Sequence, residues 1–198
     1  MNIDEFIEDI NSYVGGWCTP DKQEWLIKTI LERKLEKVIE IGVWEGKSLL
    51  PMAKACQIQG FGSVIAIDAY KVSKMLENGG DEHPSYYAAD QRSNEKAFKN
   101  WIVRSGLSDY VEYDGPKESL VAAEEYEPDT FDMIHIDANH SEVNTLQDFY
   151  TWYPLLKKGG VLVLDDTNRT STIKLKEQAT ALCSKILIDS GQWMALEK

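Results

Sequence analysis

The sequence predicts an α/β fold: a mostly parallel sheet with helices on both faces, closed by an antiparallel C-terminal hairpin. Three observations predict it. From Lys37 onward, short runs rich in Val and Ile ("VIEI", "SVIAID", "YVEYD", "FDMIHID", "GVLVLD") alternate with helix-length stretches, the pattern of strand–helix units on a parallel sheet. Each run ends in a carboxylate: Glu40, Asp68, Asp114, Asp137 and Asp165, the last followed by Asp166. The final stretch "SKILIDSGQWMALEK" holds two strand-like runs around Ser190 and Gly191, a hairpin signal that a plain dinucleotide-binding half lacks.

Taken in order, the elements begin with two helices. Ile3, Phe6, Ile7 and Ile10 fall at helical spacing and predict an amphipathic first helix. Thr19 can cap a second, Pro20 suits its first position, and Trp25, Leu26, Ile30 and Leu31 supply its apolar stripe. A chain of 198 residues suits one domain. It is expected to span 1–198, with residues 1–35 as a helical cap and 36–198 as the α/β core. The stretch "AYKVSKMLENGGDEHPSYYAADQRS" is polar, interrupts the alternation and reads either as a lid or as a surface excursion. A helix is expected after it, around "NEKAFKNWIVRSG".

A formal charge of −12 and a pI near 4.7 oppose binding to phosphate backbones and anionic membranes, so neither nucleic acid nor a membrane is an expected partner. Cys18, Cys56 and Cys183 form no C-x-x-C pair and no even framework, which predicts reduced, buried thiols. No apolar run reaches the roughly 18 residues of a membrane helix, and "MNIDEFIEDI" lacks the basic and apolar regions of a signal peptide. A cytoplasmic location is the expectation. Oligomeric state is not legible.

The strand-end acids carry the functional argument. In an open parallel sheet such ends lie along one edge, where ligands bind at the switch point of strand order. Two unit charges 4 Å apart repel by about 4 kcal/mol at an effective dielectric near 20, so an edge crowded with acids calls for cations or hydrogen-bond donors. Helix N-capping explains one such acid but poorly explains five. Gly42 and Gly46 allow a tight turn and close approach of a ligand, with Lys47 and Ser48 starting the next helix. The spacing E-x-G-x-x-x-G is not the dinucleotide pattern G-x-G-x-x-G. Asp68, ending the second run, is placed to accept hydrogen bonds from a ribose diol.

The segments "VIEIGVWEGKS", "VIAIDAY", "YVEYDGPKESL", "FDMIHIDANHS" and "WYPLLKKGGVLVLDD" together resemble the class I S-adenosylmethionine-dependent methyltransferases. The group in question includes the catechol O-methyltransferases, the macrocin-type sugar O-methyltransferases and the cephalosporin hydroxylase-like proteins. The resemblance implies a Rossmann-like fold with a seven-stranded sheet and S-adenosylmethionine as cofactor. It implies that Glu40 holds the cofactor's amino group, directly or through water, and that Gly42 makes room for the methionine portion, with Gly46, Ser48 and Ala69 beside it. Asp68 would bind the ribose, Asp114 and Gly115 would border the adenine, and Trp17 and Thr19 would close the methionine end.

By the same resemblance Asp137, Asp165 and Asp166 match the acids that bind a divalent cation in metal-dependent members. Oxygen ligands without clustered thiols suit Mg²⁺. His140 stands where catechol-type relatives carry a lysine base, and imidazole titrates near working pH. His140 and Asp137 are the catalytic candidates. His135, inside "MIHI", reads as a satisfied core histidine, whereas His83 faces either substrate or water. Trp44 and Tyr70 are candidates for the acceptor pocket; Tyr86, Tyr87 and Trp152 read as packing residues.

The predicted activity is methyl transfer from S-adenosylmethionine to a hydroxyl of a small molecule, assisted by Mg²⁺. The rivals are a metal-independent methyltransferase with a nitrogen or carboxyl acceptor and a non-catalytic cofactor-binding homologue. A nicotinamide-dependent dehydrogenase is disfavoured by the missing glycine pattern and by the hairpin.

Overall fold

A computed structural model describes residues 2–79 and 91–198; His83, Tyr86 and Tyr87 lie outside the described residues. The first helix, α1 (Ile3–Tyr13), starts from a capping box in which Asn2 and Glu5 each bond the other's backbone N–H. The second, α2 (Pro20–Arg33), has Thr19 as its N-cap and Pro20 in its first turn, as the sequence predicts. Five parallel strands follow: β1 (Lys37–Ile41), β2 (Ser63–Ile67), β3 (Val111–Glu112), β4 (Phe131–Ile136) and β5 (Leu156–Leu164). The hairpin of β6 (Lys185–Asp189) and β7 (Met194–Glu197) pairs antiparallel, and β7 pairs antiparallel with β5. The strand order is β3-β2-β1-β4-β5-β7-β6, a seven-stranded sheet. Its order reverses between β1 and β4, which pair in parallel.

Side chains alternate along a strand, and that alternation divides the core. Val38, Val64, Met133, Val161 and Val163 face α1, α2, α3 (Leu49–Gln59) and, beyond the short α4 (Val72–Met75), the helix α5 (Gln91–Arg104). Ile39, Ile65, Ile134, Leu162 and Leu164 face α6 (Ser119–Ala123), α7 (Glu142–Trp152) and α8 (Ile173–Leu182). The N-terminal helices therefore belong to one helical layer of the main core, joined to it through Phe6, Ile10, Leu26, Ile27 and Ile30.

Two elements differ from expectation. The run "YVEYD" forms only the two-residue strand β3, because only Val111 and Glu112 pair with β2. The "KKGG" turn is absorbed into β5 as an irregularity: Phe131 pairs with Leu156 while Met133 pairs with Val161. One glycine is dictated by close approach. A Cβ on Gly42 would lie 2.0 Å from the Asp137 carbonyl oxygen, and its φ of 89° is left-handed.

Candidate functional site

A cavity of about 470 Å³ opens at the carboxyl ends of the parallel strands. Its walls come from the loops after all five: Gly42–Trp44, Asp68–Ala69, Lys117–Leu120, Asp137–His140 and Asp165–Asp166, with Gly15–Cys18 closing one side. The sequence-predicted acids thus converge, except at β3. Asp114 and Gly115 stand off the wall, and the Asp114 side chain is 72% exposed and pairs with Lys117 Nζ at 2.9 Å.

On the β1–β2 half, Asp68 works as a strut. Its Oδ2 accepts the N–H groups of Val43 and Trp44, both at 2.9 Å, and its Oδ1 accepts that of Tyr70 at 2.7 Å. Burial raises its pKa in spite of these three donors. One acceptor position on Oδ1 remains, since each carboxylate oxygen takes two bonds. Tyr70 is buried off the wall, its hydroxyl donating to the Trp44 carbonyl at 2.7 Å. Trp44 lines the cavity and packs at a tilt on Trp17, ring centroids 5.8 Å apart; Trp17 itself is 61% exposed. Ala69 and Ser48 are on the wall. Thr19 and Gly46 are not: Thr19 is spent on the α2 cap, and Gly46 accommodates the Phe98 ring, 2.8 Å from where its Cβ would be.

Behind the wall lies an arrangement that the sequence does not advertise. Glu40 is wholly buried, and register sets it beside His135 on β4. Ser48 donates its hydroxyl proton to Glu40 Oε1, and His135 Nδ1 lies 2.6 Å from the same oxygen. The far ring nitrogen, Nε2, is 2.9 Å from Lys22 Nζ, which also pairs with Asp165 Oδ2. An ammonium group has only protons to give, so Nε2 accepts and Nδ1 carries the proton donated to Glu40. His135 is therefore neutral; burial and the Lys22 charge hold its pKa well below the usual histidine range. Burial likewise raises Glu40 well above its ordinary range, in spite of Ser48. Among the described residues, Glu40 Oε2 has no hydrogen-bond partner.

Alternation explains how the chain of bonds forms. Glu40, His135 and Asp165 share the face of Val38, Met133 and Val163, which α2 covers. Lys22 lies one helical turn before Leu26 and two before Ile30, so it points the same way into the sheet. Each of Leu26, Ile27 and Ile30, fully buried, contributes roughly 1.5–3 kcal/mol, enough together to seat a helix that carries an ammonium group inward. The signal in the sequence is a lysine at the i−4 position of an apolar stripe.

On the β4–β5 half the acids meet cations. Burial and then the Asp165 charge push the Asp137 pKa up to about 7. Asp165, which burial alone would raise, is held well below the carboxylate range by Lys22. His140 Nε2 lies 2.8 Å from Asp166 Oδ2 and 3.5 Å from Asp137 Oδ1, two ionic contacts. Burial would lower the imidazole, but those two acids outweigh it and push it up to about 9. Arg169 Nε adds a contact to Asp166 Oδ1 at 3.1 Å.

Among the described residues, two donor groups could hold a metal ion: His135, Asp137 and Asp165, and Asp137, His140 and Asp166. They share Asp137, so the structure brings Asp137 to each of the other acids in separate clusters. A further group that the sequence did not reveal is Asp148 on α7, on the cavity wall; Ser119 donates to it at 2.5 Å and receives the Trp152 indole proton at 2.8 Å. Burial pushes Asp148 up to about 6. Trp152, expected to be a packing residue, is wholly buried.

Comparison with known proteins places this geometry. No curated protein sequence matches the chain. Its fold is that of solved structures at low identity. Cofactor-bound Rv0187 from MTB superposes with a TM-score of 0.66 at 16% identity, over 98% of this chain and 88% of that one. An O-methyltransferase from Bacillus cereus, in complex with SAH, gives 0.65 at 19% identity, over 99% and 90%. The O-methyltransferase TomG from Streptomyces achromogenes, in complex with SAM, gives 0.63 at 15%, over 92% and 82%. The family described as "Methyltransferase domain" matches residues 39–167, a span that runs from the Glu40 strand to the residue after Asp166. The chain belongs to that family and is a class I, S-adenosylmethionine-dependent methyltransferase.

Proposed function

We propose that this methyltransferase acts on an oxygen of a small hydroxylated molecule, with a divalent cation, Mg²⁺, at the acids of the β4–β5 half. The observation that carries the reading is the continuity of one cavity from Gly42 and Asp68 to Asp137, His140 and Asp166. The cofactor's sulfonium end and the acceptor hydroxyl can therefore meet inside it.

The residues fit the cofactor. Asp68 Oδ1 keeps an acceptor position for a ribose hydroxyl, and Gly42, Ser48, Ala69 and Trp17 give the methionine portion its walls. Glu40 Oε2, buried and unpartnered, is an acceptor that an ammonium group would satisfy through a water. The loop stretch Lys117–Leu120, rather than Asp114 and Gly115, is the wall nearest the place of the adenine in this reading.

The residues also fit a cation. Asp137, Asp166 and His140 offer atoms within 4.8 Å of one another, as do His135, Asp137 and Asp165, and carboxylate-rich donor sets suit Mg²⁺ or Mn²⁺. When bound, such an ion stabilises an oxyanion and orients the substrate. The chain's own groups do the rest. His140 is held protonated by Asp137 and Asp166; any cation that shares those two charges lowers its pKa and frees Nε2 to accept the hydroxyl proton. The C–S bond of the sulfonium breaks as the C–O bond forms, so no oxidant or reductant is needed.

A metal-independent transfer, to oxygen, nitrogen or carboxyl, is favoured by one observation. Lys22, His140 and Arg169 already set cations against the acids. Transfer of a labelled methyl group to a panel of hydroxylated small molecules, with and without chelator, decides. Incorporation that chelator abolishes and Mg²⁺ restores supports the cation; incorporation indifferent to chelator selects the second reading, and none with any acceptor removes the first.

Among the described residues no helix is long and apolar enough to cross a membrane. The three thiols are free and fit the reducing cytoplasm. The surplus of acids speaks against nucleic acid as the acceptor.

A further inference from the structure

The three acids predicted to share one cation are not equivalent. Asp165 pairs with a buried ammonium group, whereas the guanidinium beside Asp166 is partly exposed: Asp165 Oδ2 pairs with Lys22 Nζ, and Asp165 Oδ1 accepts the Asp166 N–H at 2.9 Å. The Lys22 side chain is 2% exposed. Its ammonium group is fixed from two further sides, by His135 Nε2 at 2.9 Å and by the Trp193 ring, 5.8 Å to the centroid. Asp137, His140 and Asp166 form a second donor group, whereas the ion pair of Lys22 is with Asp165.

We propose that Lys22 is the resident cation of the Asp165 half of the cluster. It holds Asp165 out of the coordination shell, so that a divalent ion is bound by Asp137 and Asp166, with His140 beside them as the base. The claim rests on the cation reading above for its second half only. The seat is built for an ammonium group, because a carboxylate, a neutral imidazole nitrogen that must accept and the face of an indole converge on one buried atom.

The test is Mn²⁺ binding to the full cofactor-free chain, followed by the paramagnetic resonance of the free ion and by calorimetry. In the wild-type background Asp165→Asn is expected to change the Mn²⁺ dissociation constant by less than about threefold, whereas Asp166→Asn and Asp137→Asn each weaken it by about tenfold or more. Lys22→Met removes the charge at similar length and releases Asp165, so Mn²⁺ should bind about tenfold tighter. Because Lys22→Met strands a buried carboxylate, the Lys22→Met/Asp165→Asn double variant serves as its folded counterpart and should return to wild-type affinity. Loss of binding in Asp165→Asn equal to that in Asp166→Asn, or unchanged affinity in Lys22→Met, would overturn the proposal. If the wild type binds no Mn²⁺ but Lys22→Met does, the cation reading of the native enzyme fails and the role of Lys22 stands. If neither binds, both fall.

Discussion

The two halves of the strand edge deal with buried acid in opposite ways. On the β1–β2 side, Asp68 and Glu40 are met by neutral donors: three backbone N–H groups, a serine hydroxyl and a neutral histidine. On the β4–β5 side, Asp137, Asp165 and Asp166 are met by charges: Lys22, His140 and Arg169. Neutral donors fixed by the backbone cannot leave, so the first half is a rigid seat. Side-chain cations can yield to another cation or to a proton, so the second half is the one that can change state during a reaction. Lys22 joins the halves, being bonded to Asp165 directly and to Glu40 through His135.

The largest expected effect comes from breaking that joint. Lys22→Met leaves the Asp165 charge uncompensated, and removing one partner of a buried pair costs about 3–5 kcal/mol. Denaturant unfolding of the cofactor-free protein measures it. The loss should be mostly recovered in Lys22→Met/Asp165→Leu, where both partners become apolar. A single variant as stable as the wild type would mean that the two halves are energetically independent.

Next in size is the charged half alone. Asp137→Asn should lower turnover by about 10²–10³-fold, while binding of the demethylated cofactor should change by less than about threefold if its contacts lie, as proposed, on the other side. Equal losses in both would erase the distinction between seat and reacting end.

The same half should respond to pH. The His140 pKa is raised from 6.5 to about 9 by Asp137 and Asp166 against the effect of burial. Its stabilisation is therefore complete below the unfolded value and is lost as pH rises through about 9, with a limit of about 3 kcal/mol. Melting temperatures taken in chelator from about pH 7.5 to about 10, above the titration of Asp137 near 7, should fall in the wild type and fall less in His140→Gln. Parallel curves would put the charge elsewhere.

The neutral half should give the smallest effect on chemistry. Asp68→Ala removes the strut of the Val43–Trp44 turn and the proposed acceptor of the cofactor ribose, and on that proposal should raise the Michaelis constant for S-adenosylmethionine by about 10–100-fold with little change in turnover at saturation. A collapsed turnover number at an unchanged Michaelis constant would move Asp68 into the reacting half.

These contrasts were unequally legible in the sequence. The strands, the terminal hairpin and the Thr19–Pro20 helix start follow from local spacing and capping, so they could be read directly. Period-two alternation also fixes which acids share a face once the strands are known. It says nothing about which residue of a distant helix will cover that face, which is why Lys22 is not legible in the sequence, although His135 is the satisfied core histidine that its place in "MIHI" predicts. The β3 loop shows the same limit. Asp114 looks like the other strand-end acids, but β3 is two residues long, and the chain delivers Lys117–Leu120 to the cavity instead. Where a strand is that short, the loop's path is set by packing beyond it rather than by the strand's own pattern.

The most direct test of the division is a paired measurement on one sample, calorimetric binding of S-adenosylhomocysteine and methyl transfer from S-adenosylmethionine to an acceptor, before and after chelator. A rigid cofactor seat beside an exchangeable cationic half predicts an unchanged dissociation constant for S-adenosylhomocysteine, methyl transfer abolished by chelator, and its return with Mg²⁺. Full transfer in excess chelator, or cofactor binding lost together with transfer, would contradict it.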